Sequence, residues 1–240
     1  MRSFSITDVG EKRQINQDFV FCEENSIGGL PNLFIVADGM GGHNAGDYAS
    51  RFSVEVFTER IRTNQLKTPI GMISDALQYT NDLLLEEANA KNDLQGMGTT
   101  FVVATIIESV LYVANVGDSR LYVLREGIKQ ITEDHSLVEE MVKTGEIDRK
   151  DVRFHPNKNI ITRALGAGSA VTPDYFEVEL TKGDIVLMCS DGLTNMMDDK
   201  DIMDIVQAYP EDLEMMAGTL VQKANENGGK DNISIVLVKL

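Results

Sequence analysis

The chain is poor in cysteine, in cationic residues and in long apolar runs, and each shortage removes a class of protein. Only Cys22 and Cys189 occur in 240 residues. Such a pair is neither a disulfide framework nor a Cys-x-x-Cys zinc site, and it fits reduced thiols in a reducing compartment. No apolar run approaches the roughly 18 residues that a membrane span requires. The first residues, MRSFSITDVGEKRQINQD, hold no apolar leader core, so a soluble, cytoplasmic chain without membrane association is expected. The 22 Lys and Arg are outnumbered by 38 Asp and Glu, a net charge of −16. Nucleic acid is bound by an excess of cations, so it is not expected as a partner. Nor does any Pro- or Ser-rich linker, repeat or low-complexity tract divide the chain. With 42% hydrophobic residues it can build one sizeable core, and a single domain over 1–240 is expected.

Acid and glycine are what the sequence has in quantity. Most of the acids sit in helix-like stretches as solvated surface (Glu86-Glu87, Glu139-Glu140, Asp198-Asp199). The stretch LFIVADGMGGHNAGD, Leu33 to Asp47, is different: an apolar run reads as a buried strand, stops at Asp38 and breaks into Gly39, Gly41, Gly42 and Gly46. A phosphate-binding P-loop is excluded because no Lys follows any of these glycines. A dinucleotide fingerprint fits Gly39 and Gly41 but meets Asn44 where its third Gly or Ala belongs. The third reading makes Asp38 a ligand or catalytic carboxylate at a strand end, although Asp-Gly after a strand is also ordinary turn chemistry.

Three further acids repeat the pattern. Asp118 follows a strand in LYVANVGDSR, Asp191 follows another in IVLMCSDGL, and Asp231 opens the last in GGKDNISIVLV. Like charges brought together call for a bound cation or a raised pKa. All-oxygen donors without Cys or clustered His select Mg²⁺ or Mn²⁺ for catalysis, or Ca²⁺ for structure; no EF-hand loop is present.

The coarse architecture is helices on antiparallel sheets. Apolar residues at helical spacing (Ala49, Phe52, Val56, Phe57, then Ile70, Ile73, Leu77, Leu84) predict two helices lying on a sheet. TTFVVATIIESVLYVANVGDSRLYVLREGIKQIT reads as three or four strands joined by short turns, hence a meander of antiparallel neighbours. FEVELTKGDIVLMCSDG reads as a hairpin, NISIVLVKL as a last strand, and DDKDIMDIVQAY and EDLEMMAGTLVQKANEN as helices.

DVGEKRQINQD, VADGMGGHNAGD, GTT, ANVGDSRLYVLREG, HPNKNIITRALG, SDGL and KDNISIVLV together resemble the bacterial branch of the metal-dependent protein phosphatases, the PPM or PP2C family, in order and spacing from about Ser5 onward. The resemblance implies an α+β fold, a four-layer α-β-β-α sandwich of two antiparallel sheets with helices outside. It implies hydrolysis of phosphoserine and phosphothreonine in proteins by a metal-activated water, opposing a bacterial Ser/Thr kinase. Phosphorylated proteins, such a kinase and its substrates are the expected partners of a monomer. A catalytically silent phosphoprotein-binding module and a phosphatase for one dedicated regulator are the alternatives.

By the same resemblance, Asp38 bridges two Mn²⁺ or Mg²⁺ ions, the Gly39 carbonyl joins the shell, and Asp191 and Asp231 complete the first metal site. Asp118 shares a weaker third ion with Asp191, Asp18 and Asn232 lie in an outer shell, and Arg13 grips the phosphate. A cysteine nucleophile is excluded, since Cys22 and Cys189 meet Gly28 and Asn195 where that class needs an arginine. Eukaryotic relatives carry a His after the Asp-Gly; here it is Met40, with His43 the nearest imidazole, and metal-bound water is the favoured acid. A flap over about 134–166 is expected to select substrates, with Gly145 and Gly166 as hinges and with His155 and Arg163 packing it on the domain.

Overall fold

The computed structural model describes residues 1–42 and 45–240; His43 and Asn44 lie outside the described residues. Two sheets face one another. One runs in the order β1 (Arg2–Asp8), β11 (Ile233–Lys239), β10 (Ile185–Cys189), β7 (Arg120–Leu124), β8 (Ile128–Gln130). The other runs β2 (Asp18–Glu23), β3 (Leu33–Met40), β5 (Phe101–Ile107), β6 (Val110–Val116), β9 (Asp174–Glu179), with the short β4 (Gly98–Thr99) also on β3. All the pairings are antiparallel. Helices α1 (Ala45–Thr63) and α2 (Pro69–Ala90) cover the outer face of the β3 sheet, and α5 (Asp199–Ala208) and α6 (Leu213–Glu226) cover that of the β11 sheet.

Period-two alternation assigns each strand residue to a layer. In β3, Leu33, Ile35 and Ala37 pack under α1 and α2, whereas Phe34 and Val36 turn into the space between the sheets. In β11, Ile233, Ile235 and Leu237 pack under α5 and α6, whereas Val236 and Val238 meet the row from β3. Three apolar layers result, and strands apolar on both faces follow from burial on both faces. Helix starts are capped as their sequences suggest: Thr68, Asp198 and Asp212 each accept a backbone N–H from the first turn of α2, α5 and α6.

Two expected connections are different in the structure. β6 and β7 do not pair; the turn at Gly117-Asp118 carries the chain from one sheet to the other. β9 and β10 likewise lie in different sheets rather than forming a hairpin. The meander is thus two hairpins, β5-β6 and β7-β8, joined across the sandwich. A turn this short could join neighbours in one sheet or cross between facing sheets, and turn chemistry alone does not distinguish them. The strand at Leu33 also continues through Asp38 and Gly39 to Met40.

Phe34 is fully buried between the two sheets. Phe34→Ala is expected to lower unfolding free energy by about 3–5 kcal/mol, through lost transfer energy and an unfilled cavity. Urea unfolding measures this, and a loss under about 1 kcal/mol would mean that the intersheet layer repacks freely.

Candidate metal centre

At one end of the sandwich the inward-facing rows change from apolar to polar without changing period. The row Phe34, Val36 continues to Asp38, and the row Cys22, Val20 continues to Asp18. Asp18 and Asp38 are direct cross-strand partners, so their side chains project from the same face. Thr100, Asn115, Ser119, Ser190 and Ser234 extend the inward rows of β5, β6, β7, β10 and β11, and each is at most 2% exposed. These hydroxyls and amides brace the acids. Ser190 donates to Asp18 Oδ2 at 2.7 Å and accepts the Ser234 N–H at 3.0 Å. Thr100 Oγ1 accepts the Asp38 N–H at 2.9 Å, and Thr100 N–H donates to the Asp38 carbonyl at 2.9 Å.

Asp118 reaches the same place from the crossing between the sheets, Asp191 from the first position of the short α4 (Asp191–Thr194), and Asp231 from just ahead of β11. Asp38, Gly39, Asp118, Asp191, Asp231 and Arg13 line a cavity of about 240 Å³. The two Asp-Gly pairs share a steric cause. A Cβ on Gly39 would lie 1.9 Å from the Gly46 carbonyl oxygen, and one on Gly192 would lie 1.9 Å from that of Asn232. Each glycine admits a neighbouring backbone beside the acid that precedes it. Gly42 has open space at that position, so the glycines of this loop are not equivalent.

Electrostatics mark the acids as crowded. Burial first, then Asp18, Asp191, Asp118 and Asp231, push the Asp38 pKa well above the carboxylate range. Asp118 is raised likewise by burial, then by Asp191 and Asp134, against the opposing charge of Arg120. Burial and the neighbouring Asp191 and Asp231 raise Asp18 to about 7 against the hydroxyls of Ser190 and Ser234. Burial and Asp231 raise Asp191 to about 6. These are carboxylates without enough positive charge nearby. Asp18 Oδ1 and Asp191 Oδ1 are buried acceptors with no hydrogen-bond partner among the described residues, as a site for cations or ordered water requires. Among the described residues no three His, Cys, Asp or Glu side chains already converge on one point. The oxygen donors therefore fit hard cations whose shells are completed by water and carbonyl.

The remaining expected residues are placed more variously. Arg13, largely exposed, donates to Asp231 Oδ2 at 2.7 Å, so one of its nitrogens is engaged by a carboxylate of the site. Asn232 meets the acids through its backbone, its N–H donating to Asp231 Oδ1 at 2.9 Å, and its side chain serves the neighbouring loop. It donates to the Val9 and Ile15 carbonyls at 2.9 and 3.0 Å and accepts the Gln17 N–H at 2.9 Å, pinning the loop that carries Arg13. Met40 lines the cavity, while His43 lies outside the described residues. His155 Nδ1 accepts the Asn157 N–H in a local turn. Arg163 donates to Asp174 Oδ1 at 2.9 Å at the base of the flap. Gly145 and Gly166 both have positive φ, but Gly166 is packed, with its N–H on Asn81 Oδ1 at 2.9 Å.

Several site residues went unseen in the sequence. Arg120 grips Asp134 through Nη2 at 2.7 Å and Nε at 2.9 Å behind Asp118. Asn195 donates to Asp191 Oδ2 at 2.8 Å and accepts from flap Lys158 Nζ at 2.7 Å. The serines and Thr100 had a usable signal, the continuation of each strand's alternation past its apolar run. Arg120 and Lys158 lie within the motifs ANVGDSRLYVLREG and HPNKNIITRALG, but the sequence does not name their partners; Asn195 had no signal, and chain packing brings all three in.

The chain is similar to known proteins over nearly its whole length. The family model for Protein phosphatase 2C matches residues 10–231. The chain is 42% identical over 238 residues to a serine/threonine phosphatase stp of Listeria welshimeri, spanning 97% of this chain and 93% of that one. The solved serine/threonine phosphatase of S. agalactiae superposes with a TM-score of 0.92 at 34% identity, covering 100% of this chain and 99% of that chain. A catalytic domain of the serine threonine protein phosphatase PstP, solved in complex with two manganese ions, superposes with a TM-score of 0.85 at 30% identity, covering 98% and 96%. The acids at the sandwich's polar end thus stand in a chain that belongs to the protein phosphatase 2C family and is a protein serine/threonine phosphatase.

Proposed function

We propose that the chain hydrolyses phosphoserine and phosphothreonine in proteins with two Mn²⁺ or Mg²⁺ ions, and a weaker third, held at the polar end of the sandwich. The observation that carries this reading is the set of crowded carboxylates with raised pKa values around one cavity, with Asp191 Oδ1 lacking a hydrogen-bond partner among the described residues. Asp38, Asp191, Asp231 and the Gly39 carbonyl hold the first two ions, and Asp118 with Asp191 the third. Bound divalent ions supply Lewis acidity and lower the pKa of water from about 15.7 toward 7.

The chain's own groups do the positioning. Asp18, braced by Ser190, orders water through its free Oδ1. Arg13 keeps most of its N–H donors while on Asp231, and these suit the equatorial oxygens of a phosphoryl group. Among the described residues no histidine lines the cavity, so water protonates the departing seryl oxygen. A second cleft of about 420 Å³ shares Asp118 and Asp191 with the first and runs between the flap residues Arg149, Arg153 and Lys158 and the start of α5. The substrate chain on one side of the phosphorylated residue lies there. Its sources are proteins phosphorylated by a Ser/Thr kinase, and the enzyme works as a cytoplasmic monomer.

Metal-titrated assays test the reading. Turnover of p-nitrophenyl phosphate and of a phosphothreonine peptide is expected to vanish in EDTA and return with Mn²⁺ far better than with Ca²⁺, a weaker Lewis acid of looser geometry. Full turnover in excess chelator would sink it.

Stability should move opposite to activity at Asp38. In chelator, Asp38→Asn removes one of the crowded charges and is expected to gain at least about 1 kcal/mol, a Tm rise of roughly 2–4 °C. The folded chain, with Asp18 at about 7 and Asp191 at about 6, keeps protons that the unfolded chain has already released. Stability in chelator therefore falls as pH climbs from about 4 to about 7. Scanning calorimetry across that window, with and without Mn²⁺, checks both signs; a lower Tm for Asp38→Asn in chelator contradicts the repulsion.

Asp118→Asn separates the third ion from the other two. Metal stoichiometry is expected to fall only in part, with kcat on the phosphopeptide dropping more than kcat on p-nitrophenyl phosphate, whose phenolate leaves without help from an acid. Equal losses on both substrates, with all metal binding gone, would place Asp118 in the main pair.

A further inference from the structure

His135 is the most constrained imidazole among the described residues, and nothing in the reaction above uses it. It is 5% exposed and stands at the start of the flap. Its Nδ1 accepts the Gly117 N–H at 3.1 Å, and its backbone N–H donates to the Gly117 carbonyl at 2.9 Å. Gly117 has φ +112° and directly precedes Asp118. The two successive peptide units that flank the Gly117 Cα, the second of which leads into Asp118, are therefore each held by the same residue.

The other side of the ring fixes its tautomer. With Nδ1 accepting, the proton sits on Nε2, which donates to Asp174 Oδ2 at 3.0 Å. Arg163 Nη1 lies 3.1 Å from the same Nε2, but both are then donors, and Arg163 instead donates to Asp174 Oδ1 at 2.9 Å. Asp174 thus takes one donor on each oxygen. The far end of the flap closes on the same residue, through Thr162 N–H to the His135 carbonyl at 2.7 Å and the bridge between Ser136 and Ile161. Asn115 also donates to the Gly117 carbonyl, at 3.2 Å.

We infer that His135 is a positioning residue, which fixes the backbone on both sides of Gly117 and hence the Asp118 carboxylate for the third ion while tying both ends of the flap to that setting. This rests on the reading of Asp118 as a ligand of that ion. The link makes flap position and third-ion affinity two readouts of one hydrogen-bonded unit. Burial, opposed by the bond to Asp174 and aided by Arg163, lowers the His135 pKa, in keeping with a neutral ring.

Two amide substitutions separate the two nitrogens. In His135→Asn the side-chain oxygen falls where Nδ1 was and can still accept the Gly117 N–H. In His135→Gln the terminal amide falls near Nε2 and can still donate to Asp174, but the Gly117 N–H loses its acceptor. Calorimetric Mn²⁺ titration of the full chain and hydrogen exchange at the Gly117 amide are the readouts, with kcat on the phosphopeptide relative to p-nitrophenyl phosphate as a third. The Gln variant is expected to lose about tenfold or more in affinity at the weakest Mn²⁺ site, the lower end of what lost ligand support usually costs. Its Gly117 amide should exchange faster and its relative phosphopeptide turnover should fall. The Asn variant should stay within about threefold of wild type, against that tenfold scale. A packing role alone would harm Asn at least as much as Gln, because Asn leaves the larger hole and abandons Asp174.

Equal impairment of the two variants, or wild-type Mn²⁺ binding and Gly117 exchange in the Gln variant, would overturn the inference. If either fails to fold, Asp174→Ala leaves the ring without its Nε2 acceptor and should itself quicken Gly117 exchange; unchanged exchange there overturns the inference equally. Asp118→Asn keeps the two failures apart. If it leaves Mn²⁺ stoichiometry intact, the third-ion reading is wrong, while Gly117 exchange still reports whether His135 holds the turn.

Discussion

Mutual repulsion among carboxylates that are cut off from water governs the organisation of this molecule. Asp18, Asp38, Asp118 and Asp191 all have raised pKa values, and in each case burial is the leading cause, with the neighbouring acids adding to it. Such an arrangement opposes folding unless the rest of the chain over-determines it. The intersheet layer built on Phe34, Val36, Val236 and Val238 provides that force, because the same strands that bury it must deliver the acids at their ends. The cavity is then a place where positive charge is favoured strongly, and the chain can leave the supply of that charge to divalent ions.

Hydroxyls and amides set how the acids stand. Ser190, Ser234 and Thr100 are buried and hydrogen-bonded to the acids or to one another's backbone. Ser190 and Ser234 lower the penalty of ionising Asp18 without adding charge, and Thr100 fixes the backbone of Asp38. Glycine does a different job. Gly39 and Gly192 let the Gly46 and Asn232 backbones lie against the strand end and the short helix, so the loops that enclose the cavity can close over it. The Asp-Gly dipeptide therefore combines a charged ligand with a missing side chain for two separate reasons, electrostatic in the first residue and steric in the second.

The flap is fastened at its base. Arg120 with Asp134, and Arg163 with Asp174, bind the two ends of the segment to β7 and β9, one strand in each sheet. Lys158 and Arg153 both reach Asn195, the former to its side chain and the latter to its carbonyl, and Asn195 holds Asp191. Movement of the flap thus bears on two of the site's carboxylates through single intervening residues. In a chain of net charge −16, a cationic flap wall beside the cavity also gives an anionic substrate a favourable approach.

The sequence by itself determined the four long helices, the apolar strands from Leu33 onward, the four strand-end aspartates and, through the ordered motifs, the family, whereas the strands Arg2–Asp8 and Asp18–Glu23 were not read from it. Those features are local: period, capping and turn residues act over a few positions, and an acid after an apolar run is visible in one dimension. Which sheet each strand joins was not legible. VGDSR and LTKGD look like hairpin turns, yet both cross between sheets, because that choice depends on which apolar faces find each other. The same holds for Arg13, whose pairing with Asp231 joins residues far apart in the chain, and for Asn232, whose side chain ties down the loop that carries Arg13. His135, Arg120 and Asn195 carry no motif of their own meaning. Only the folded chain places them against Gly117, Asp134 and Asp191, since hydrogen bonds over such separations exist once packing has fixed both partners.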